Sequence, residues 1–272
     1  KIRGALTTLG YQINGDVCSD RTIAISGAIE LIHSGLLIQD DFIDQDKMRR
    51  GNISIHELYS KQKDAHFGDS VANLICDLTF FHALNIIATS GLNNIHLAIA
   101  KLSQQLVNTG YGEIIDIVGG DPDIVRLYKT AHYSFVMPLS VGAILSGASN
   151  TQLDAIEKYG TEVGLAFQIR DDILGVVGDP KITGKSNFTD ITERKQTHIW
   201  QTTEKIIGHK FTDESVDEIR KSMQETGALD VCQKLAQDHI DVAKNNLDSI
   251  TKVDEIKIIL SQLADFVILR DK

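Results

Sequence analysis

The stretch LLIQDDFIDQDKMRRG, residues 36–51, decides how the rest of the chain is read. An apolar turn, Leu36-Leu37-Ile38, runs into three carboxylates, Asp40, Asp41 and Asp44, and then into Arg49-Arg50-Gly51. Positions i and i+4 of a helix share a face, so Asp40 and Asp44 point the same way with Asp41 beside them. Like charges so placed repel and weaken a helix by about 0.2–0.5 kcal/mol per pair. A divalent cation turns that repulsion into a site. Hard carboxylate oxygens suit Mg²⁺, which takes one or two of them together with substrate phosphates. The two arginines then supply guanidinium groups that stay charged and grip phosphate bidentately. The bland alternative is a solvated acidic face with surface ion pairs. The apolar turn before the carboxylates and the basic pair after them weigh against it.

Outward from this stretch the chain is helical. Apolar residues recur at 3.6-residue spacing through residues 21–46, 68–89, 94–118, 123–146, 152–174 and 229–247, which predicts six long helices, and shorter ones are predicted over 193–207, 213–225 and 253–269. The first proline is Pro122. Loops are expected at 51–67, 119–122 and 175–192. No low-complexity linker divides the chain, so the expectation is all-α: one domain over residues 1–272, a bundle of long helices. The opening residues already follow an apolar pattern (Ile2, Ala5, Leu6, Leu9), as if the chain began inside a longer one.

Composition narrows the function. With 42% apolar and 24% charged residues the chain has both a core and a wetted surface, which excludes a disordered chain. Basic residues number 27 against 37 acidic, a net charge of −10, so a general nucleic-acid partner is not expected. No uninterrupted apolar run reaches the roughly 18 residues of a membrane span. Three cysteines without a C-x-x-C imply neither a disulfide framework nor a zinc site, and a cytoplasmic location is the expectation.

A second acidic pair, Asp171-Asp172, lies 131 residues after the first and again ends a predicted helix, preceded by Phe167-Gln168 and followed by Lys185, Asp190 and Lys195. Two such ends, each with its own cations, are the pattern of a site for an anionic substrate carried by several metal ions.

These motifs together resemble the polyprenyl synthetase family of trans-isoprenyl diphosphate synthases, and geranylgeranyl diphosphate synthases most. Asp40-Asp41-Phe42-Ile43-Asp44 with Arg49-Arg50-Gly51 is similar to the family's first aspartate-rich motif, and Phe167-Gln168 with Asp171-Asp172 to its second. Lys129-Thr130-Ala131 resembles the K-T-A element, Gly184-Lys185 through Lys195 the lysine loop, and Lys1-Ile2-Arg3-Gly4 the end of the opening motif, whose diphosphate-binding lysine would fall upstream of Lys1. The resemblance implies an all-α bundle around a deep apolar cavity, a homodimer, and head-to-tail condensation of an allylic diphosphate with isopentenyl diphosphate. It implies that Asp40, Asp44 and Asp171 hold three Mg²⁺, with Asp41 and Asp172 supporting. Arg49, Lys129, Thr130, Gln168, Lys185 and Lys195 would surround the allylic diphosphate, and Arg3, His33 and Arg50 the isopentenyl diphosphate. His33 lies about 10 Å before Asp40 along the helix.

The resemblance also implies that a bulky aromatic four or five residues before Asp40 limits chain growth. Here those positions are Leu36 and Gly35, so the tail is expected to pass them and stop near Ile32 and Ile29. That predicts a twenty-carbon product, with twenty-five carbons or more as the alternative. Gly175 stands where many relatives carry an acid, which keeps a catalytically silent partner subunit as a further alternative. A terpene cyclase would carry N-D-x-x-S-x-x-x-E in place of Asp171-Asp172, and a head-to-head synthase a different acidic spacing and a membrane anchor.

Overall fold

The computed structural model describes residues 1–177 and 189–270. Among them the architecture is all-α, as expected, with one two-stranded antiparallel ladder. The chain forms two compact units, residues 1–102 with 138–148, and residues 103–137 with 149–272. Two of its three passages from one unit to the other run inside helices, α5 (Ile95–Ile117) and the start of α7 (Met137–Leu145), and the third, at residues 148–149, lies in the loop that follows α7.

In the first unit α1 (Ile2–Tyr11) packs on α2 (Asp20–Ile43), and α2 packs on α4 (Ala65–Ala88). Ser19 caps α2 through a reciprocal bond pair with Thr22, of the kind that holds a helix start by about 1 kcal/mol. The stripe Ile25, Ala28, Ile29, Ile32 and Gly35 is buried. The helix stops at Ile43, earlier than the periodicity indicates, because Asp44 caps it and Gln45 takes a left-handed conformation, φ 56°. β1 (Met48–Arg49) follows the helix, and the region read as a loop, residues 51–67, contains β2 (Asn52–Ile53) and α3 (Ile55–Ser60). Arg50 (φ 52°) and Gly51 (φ 78°) form the two-residue turn between the strands, and two left-handed residues are what a tight antiparallel turn requires. By length and composition α2 and α4 would suffice to cross a membrane. The apolar runs are broken by single polar residues, which hid this in the sequence.

In the second unit the predicted helix 123–146 is not one helix. Asp121 caps α6 (Pro122–Val125), Arg126–Val136 winds as a π-helix, and regular winding resumes in α7. The π segment packs on α8 (Asn150–Val177), and Gly164 permits the approach: a Cβ there would lie 2.4 Å from the Cα of Ala131. Beyond α8 come the turn α9 (Thr189–Thr192), α10 (His198–Ile207), α11 (Val216–Glu225), α12 (Ala228–Lys244), α13 (Leu247–Ile250) and α14 (Asp254–Leu269). Tyr159 and Trp200 are buried, and the Tyr159 hydroxyl donates to the Leu260 carbonyl at 2.7 Å.

Candidate active site

The end of α2 is held by the short hairpin that follows it. Met48 pairs with Ile53 and Arg49 with Asn52, and the fold-back returns Arg49 to the carboxylates it follows in sequence. Arg49 Nη2 lies 2.8 Å from Asp40 Oδ2, and Nε donates to Asp41 Oδ1. Asp41 is buried, and that burial raises its pKa against the opposing pull of Arg49. Asp41 therefore anchors the arginine, while Asp40 remains partly exposed.

His33 stands in a cationic environment on the same helix. Burial, then the nearby charges of Arg3 and Arg50, push its pKa down to about 3, so the imidazole is neutral at physiological pH. Arg3 is set there by its neighbour: the Gly4 N–H donates to Glu30 Oε1 at 2.7 Å, and the Ser26 hydroxyl donates to the Gly4 carbonyl at 2.9 Å. The first unit thus gathers Arg3, His33, Asp40, Asp41, Arg49 and Arg50.

The chain-length reading of Gly35 is corrected here. A Cβ on Gly35 would lie 2.1 Å from Thr79 Oγ1 and 2.9 Å from the Phe80 ring, so its missing side chain serves the close packing of α2 on α4. Cys76 Sγ lies 3.3 Å from the Gly35 carbonyl oxygen in the same contact. Ile29 and Ile32 are fully buried in the core stripe, and Leu36 is half-buried. The reason is angular. Position 35 is five residues before Asp40, and at 100° per residue it faces well away from the carboxylates.

In the second unit the K-T-A element lies on the π-helix. Lys129 Nζ is held 3.0 Å from Glu113 Oε2 and 2.9 Å from Asp116 Oδ2. Burial works against its charge, but the Glu113 and Asp116 carboxylates outweigh it and raise the ammonium's pKa. Both acids were missed in the sequence, where their only signal was an acidic pair three apart on one helix face. Thr130 Oγ1 donates to Gln168 Oε1 at 3.0 Å, and Gln168 Nε2 donates to Asp172 Oδ1 at 2.9 Å. The His198 N–H closes the chain on Asp172 Oδ2 at 2.8 Å. Asp172 is buried and burial pushes its pKa up to about 7. It orients Gln168 and Thr130 and is itself enclosed. Asp171 is more exposed and accepts from Arg270, 99 residues on.

Gly175 has an acid beside it after all. A Cβ there would lie 3.3 Å from Asp190 Oδ2, so Asp190 brings a carboxylate to the place the second motif leaves bare. Lys195 pairs with Glu193 at 3.0 Å. Lys185 lies outside the described residues. Among the described residues no three His, Cys, Asp or Glu side chains form a closed cage for a metal ion. Exposed single carboxylates without such a cage are the donor set of Mg²⁺ bound jointly by protein and diphosphate oxygens.

The polyprenyl synthetase family profile matches residues 1–234. This chain belongs to that family. Polyprenyl synthetase relatives similar to it include a geranylfarnesyl diphosphate synthase of Aeropyrum pernix, 28% identical over all of this chain and 90% of its own length. A short chain isoprenyl diphosphate synthase of Methanothermobacter thermautotrophicus is 30% identical over all of this chain and 86% of its own. Among solved structures, the geranylgeranyl pyrophosphate synthase of Corynebacterium glutamicum, complexed with isoprenyl diphosphate and magnesium, superposes with a TM-score of 0.83 at 27% identity, covering 98% of this chain and 85% of that one. As a polyprenyl synthetase the chain is a trans-prenyltransferase, in keeping with the resemblance read from its motifs.

Proposed function

We propose that this polyprenyl synthetase joins isopentenyl diphosphate head-to-tail to an allylic diphosphate and releases a twenty-carbon prenyl diphosphate. The observation that carries the reading is the pair of acidic helix ends, each with a guanidinium on its carboxylate, Arg49 on Asp40 and Arg270 on Asp171. In this reading Asp40 and Asp44 hold Mg²⁺ at the first end and Asp171 at the second. Bound Mg²⁺ supplies neutralisation of the charge that builds on the departing diphosphate.

The chain's own residues do the rest. Lys129, preorganised by Glu113 and Asp116, and Arg49, preorganised by Asp41, offer fixed positive charge to the leaving group and spare the cost of assembling it during reaction. Thr130 and Gln168, oriented through Asp172, add hydrogen-bonding groups on the allylic side. Arg3, Arg50 and neutral His33 bind the isopentenyl diphosphate. The allylic cation must be kept from water until the isopentenyl double bond attacks it. The proton then lost goes to the departed diphosphate. A product of twenty-five carbons or more is the second reading, favoured by the absence of an aromatic residue at position 36, one turn before Asp40.

We place the enzyme in the cytoplasm, where its three free thiols suit a reducing compartment. A homodimer is supported by two exposed apolar stripes, Leu74, Leu78 and Phe81 on α4, and Val107, Tyr111, Ile114 and Val118 along α5 and just past its end.

The test is incubation of the protein with isopentenyl diphosphate, Mg²⁺ and each of the five-, ten- and fifteen-carbon allylic primers, with products sized by chromatography. A discrete twenty-carbon diphosphate that disappears with chelator supports the proposal. A longer product selects the second reading, and no product from any primer overturns both.

A further inference from the structure

Arg270 occupies the second acidic end in a way that the reaction does not explain. The residue follows the last turn of α14, where its N–H donates to the Phe266 carbonyl and its backbone turns extended (φ −62°, ψ 148°). Its own carbonyl is gripped by Arg170, whose Nε and Nη2 donate to it at 3.0 and 2.8 Å. Its side chain then runs over Phe167, with the guanidinium carbon 3.8 Å from the ring centroid, and Nη2 donates to the Phe167 carbonyl at 3.3 Å and to Asp171 Oδ1. The side chain is only 11% exposed, whereas Asp171 is 40% exposed. A guanidinium fixed by its main chain, an aromatic face and a carbonyl is a built seat.

Asp171 is also the carboxylate assigned above to a metal ion. One carboxylate cannot give its full charge to both a guanidinium and a divalent cation, and the two cations repel each other at this range. We infer that Arg270 is a built-in counter-cation of the second acidic end, neutralising Asp171 until metal arrives together with diphosphate and displaces it. The inference rests on the metal reading of Asp171. Metal alone must work against the guanidinium's positive charge. A metal–diphosphate complex carries its own negative charge and offers the freed guanidinium an alternative partner. The second end thereby discriminates against metal without substrate.

The experiment is Mn²⁺ binding to the full chain, followed by the loss of free Mn²⁺ signal in electron paramagnetic resonance, with and without inorganic diphosphate. Arg270→Gln should tighten Mn²⁺ binding in the absence of diphosphate by about tenfold, the scale of one neighbouring charge, and by much less in its presence. Arg270→Lys, which keeps the charge, should stay nearer to wild type. Phe167→Leu removes the aromatic seat without touching either charge, and should tighten binding in the same direction to a smaller degree. Unchanged or weaker Mn²⁺ binding in both Arg270→Gln and Phe167→Leu, with native circular dichroism, would overturn the inference and make Arg270 a purely structural clamp. Should Asp171→Asn leave the number of Mn²⁺ bound with diphosphate unchanged, the metal reading of Asp171 itself falls, and the counter-cation role with it.

Discussion

The end of α2 and the end of α8 carry the same chemistry and are held by opposite means. At the first, the guanidinium on Asp40 comes from Arg49, nine residues on, brought back by a four-residue ladder and a left-handed turn. At the second, the guanidinium on Asp171 comes from Arg270, 99 residues on, at the far end of the last helix. Each end also sacrifices one acid to structure. Asp41 is buried on Arg49, and Asp172 is buried on Gln168 and the His198 N–H. An aspartate-rich motif is thus a division of labour, with one carboxylate left accessible and its neighbour spent on fixing the surrounding donors.

The largest effect that bears on this comparison is catalytic. Asp40→Ala and Asp171→Ala should each lower kcat by about two to three orders of magnitude, the loss typical of removing a preorganised charge-stabilising group. Asp40→Ala should be the more severe, since two ions are assigned to the first end. Steady-state rates at saturating Mg²⁺ measure both, and equal losses would show that the two ends share the work evenly.

Next comes stability. Asp172→Ala leaves Gln168 Nε2 and the half-buried His198 N–H without their acceptor, and should cost about 2–4 kcal/mol in urea unfolding. Asp41→Ala should cost less, because Arg49 keeps Asp40. If Asp41→Ala proves the costlier, the first end depends on its buried acid more than the second does.

A pH titration separates the two halves more finely. Burial with Arg3 and Arg50 holds His33 down to about 3, and burial with Arg126 holds His198 down to about 4, from the ordinary 6.5. Below 6.5 the unfolded chain takes up these protons while the folded chain does not, so stability falls as pH falls from 6.5 toward 4. Melting temperatures between pH 7 and 4.5 should show this drop. Imidazole NMR should show no titration of either residue between pH 5 and 8, and an inflection of His33 near 6.5 would remove the cationic environment inferred around it.

The smallest effect concerns Gly175. Gly175→Asp sets a second carboxylate beside Asp190, and like charges on neighbouring groups should lower stability by less than about 1 kcal/mol. Activity should not rise. A gain in rate would mean that Asp190 does not stand in for the missing acid.

Much of this enzyme was legible in its sequence. The helical class followed from 3.6-residue periodicity, and the first acidic cluster and Arg49 followed from spacing along one helix and just past its predicted end. The hairpin itself could have been found in Arg50-Gly51, a pair suited to a left-handed turn. The π winding over Arg126–Val136 could not, because its apolar pattern reads as an ordinary helix. Gly35 shows the same limit. The sequence placed it before Asp40, but whether a missing side chain opens a cavity or admits a neighbouring helix depends on what stands opposite, and Thr79 and Phe80 stand there.

The sequence by itself determined what is local: that the chain is helical, where the carboxylates cluster, and which arginine follows the first cluster, because each rests on residues within a few turns of one another. Only the tertiary structure decided which carboxylates are spent on anchoring, that Glu113 and Asp116 hold Lys129, that Asp190 stands beside Gly175, and that Arg270 sits on Asp171. Those pairings depend on how packed helices bring distant residues side by side, and charge and hydrogen bonding act on distance in space, whatever the separation along the chain.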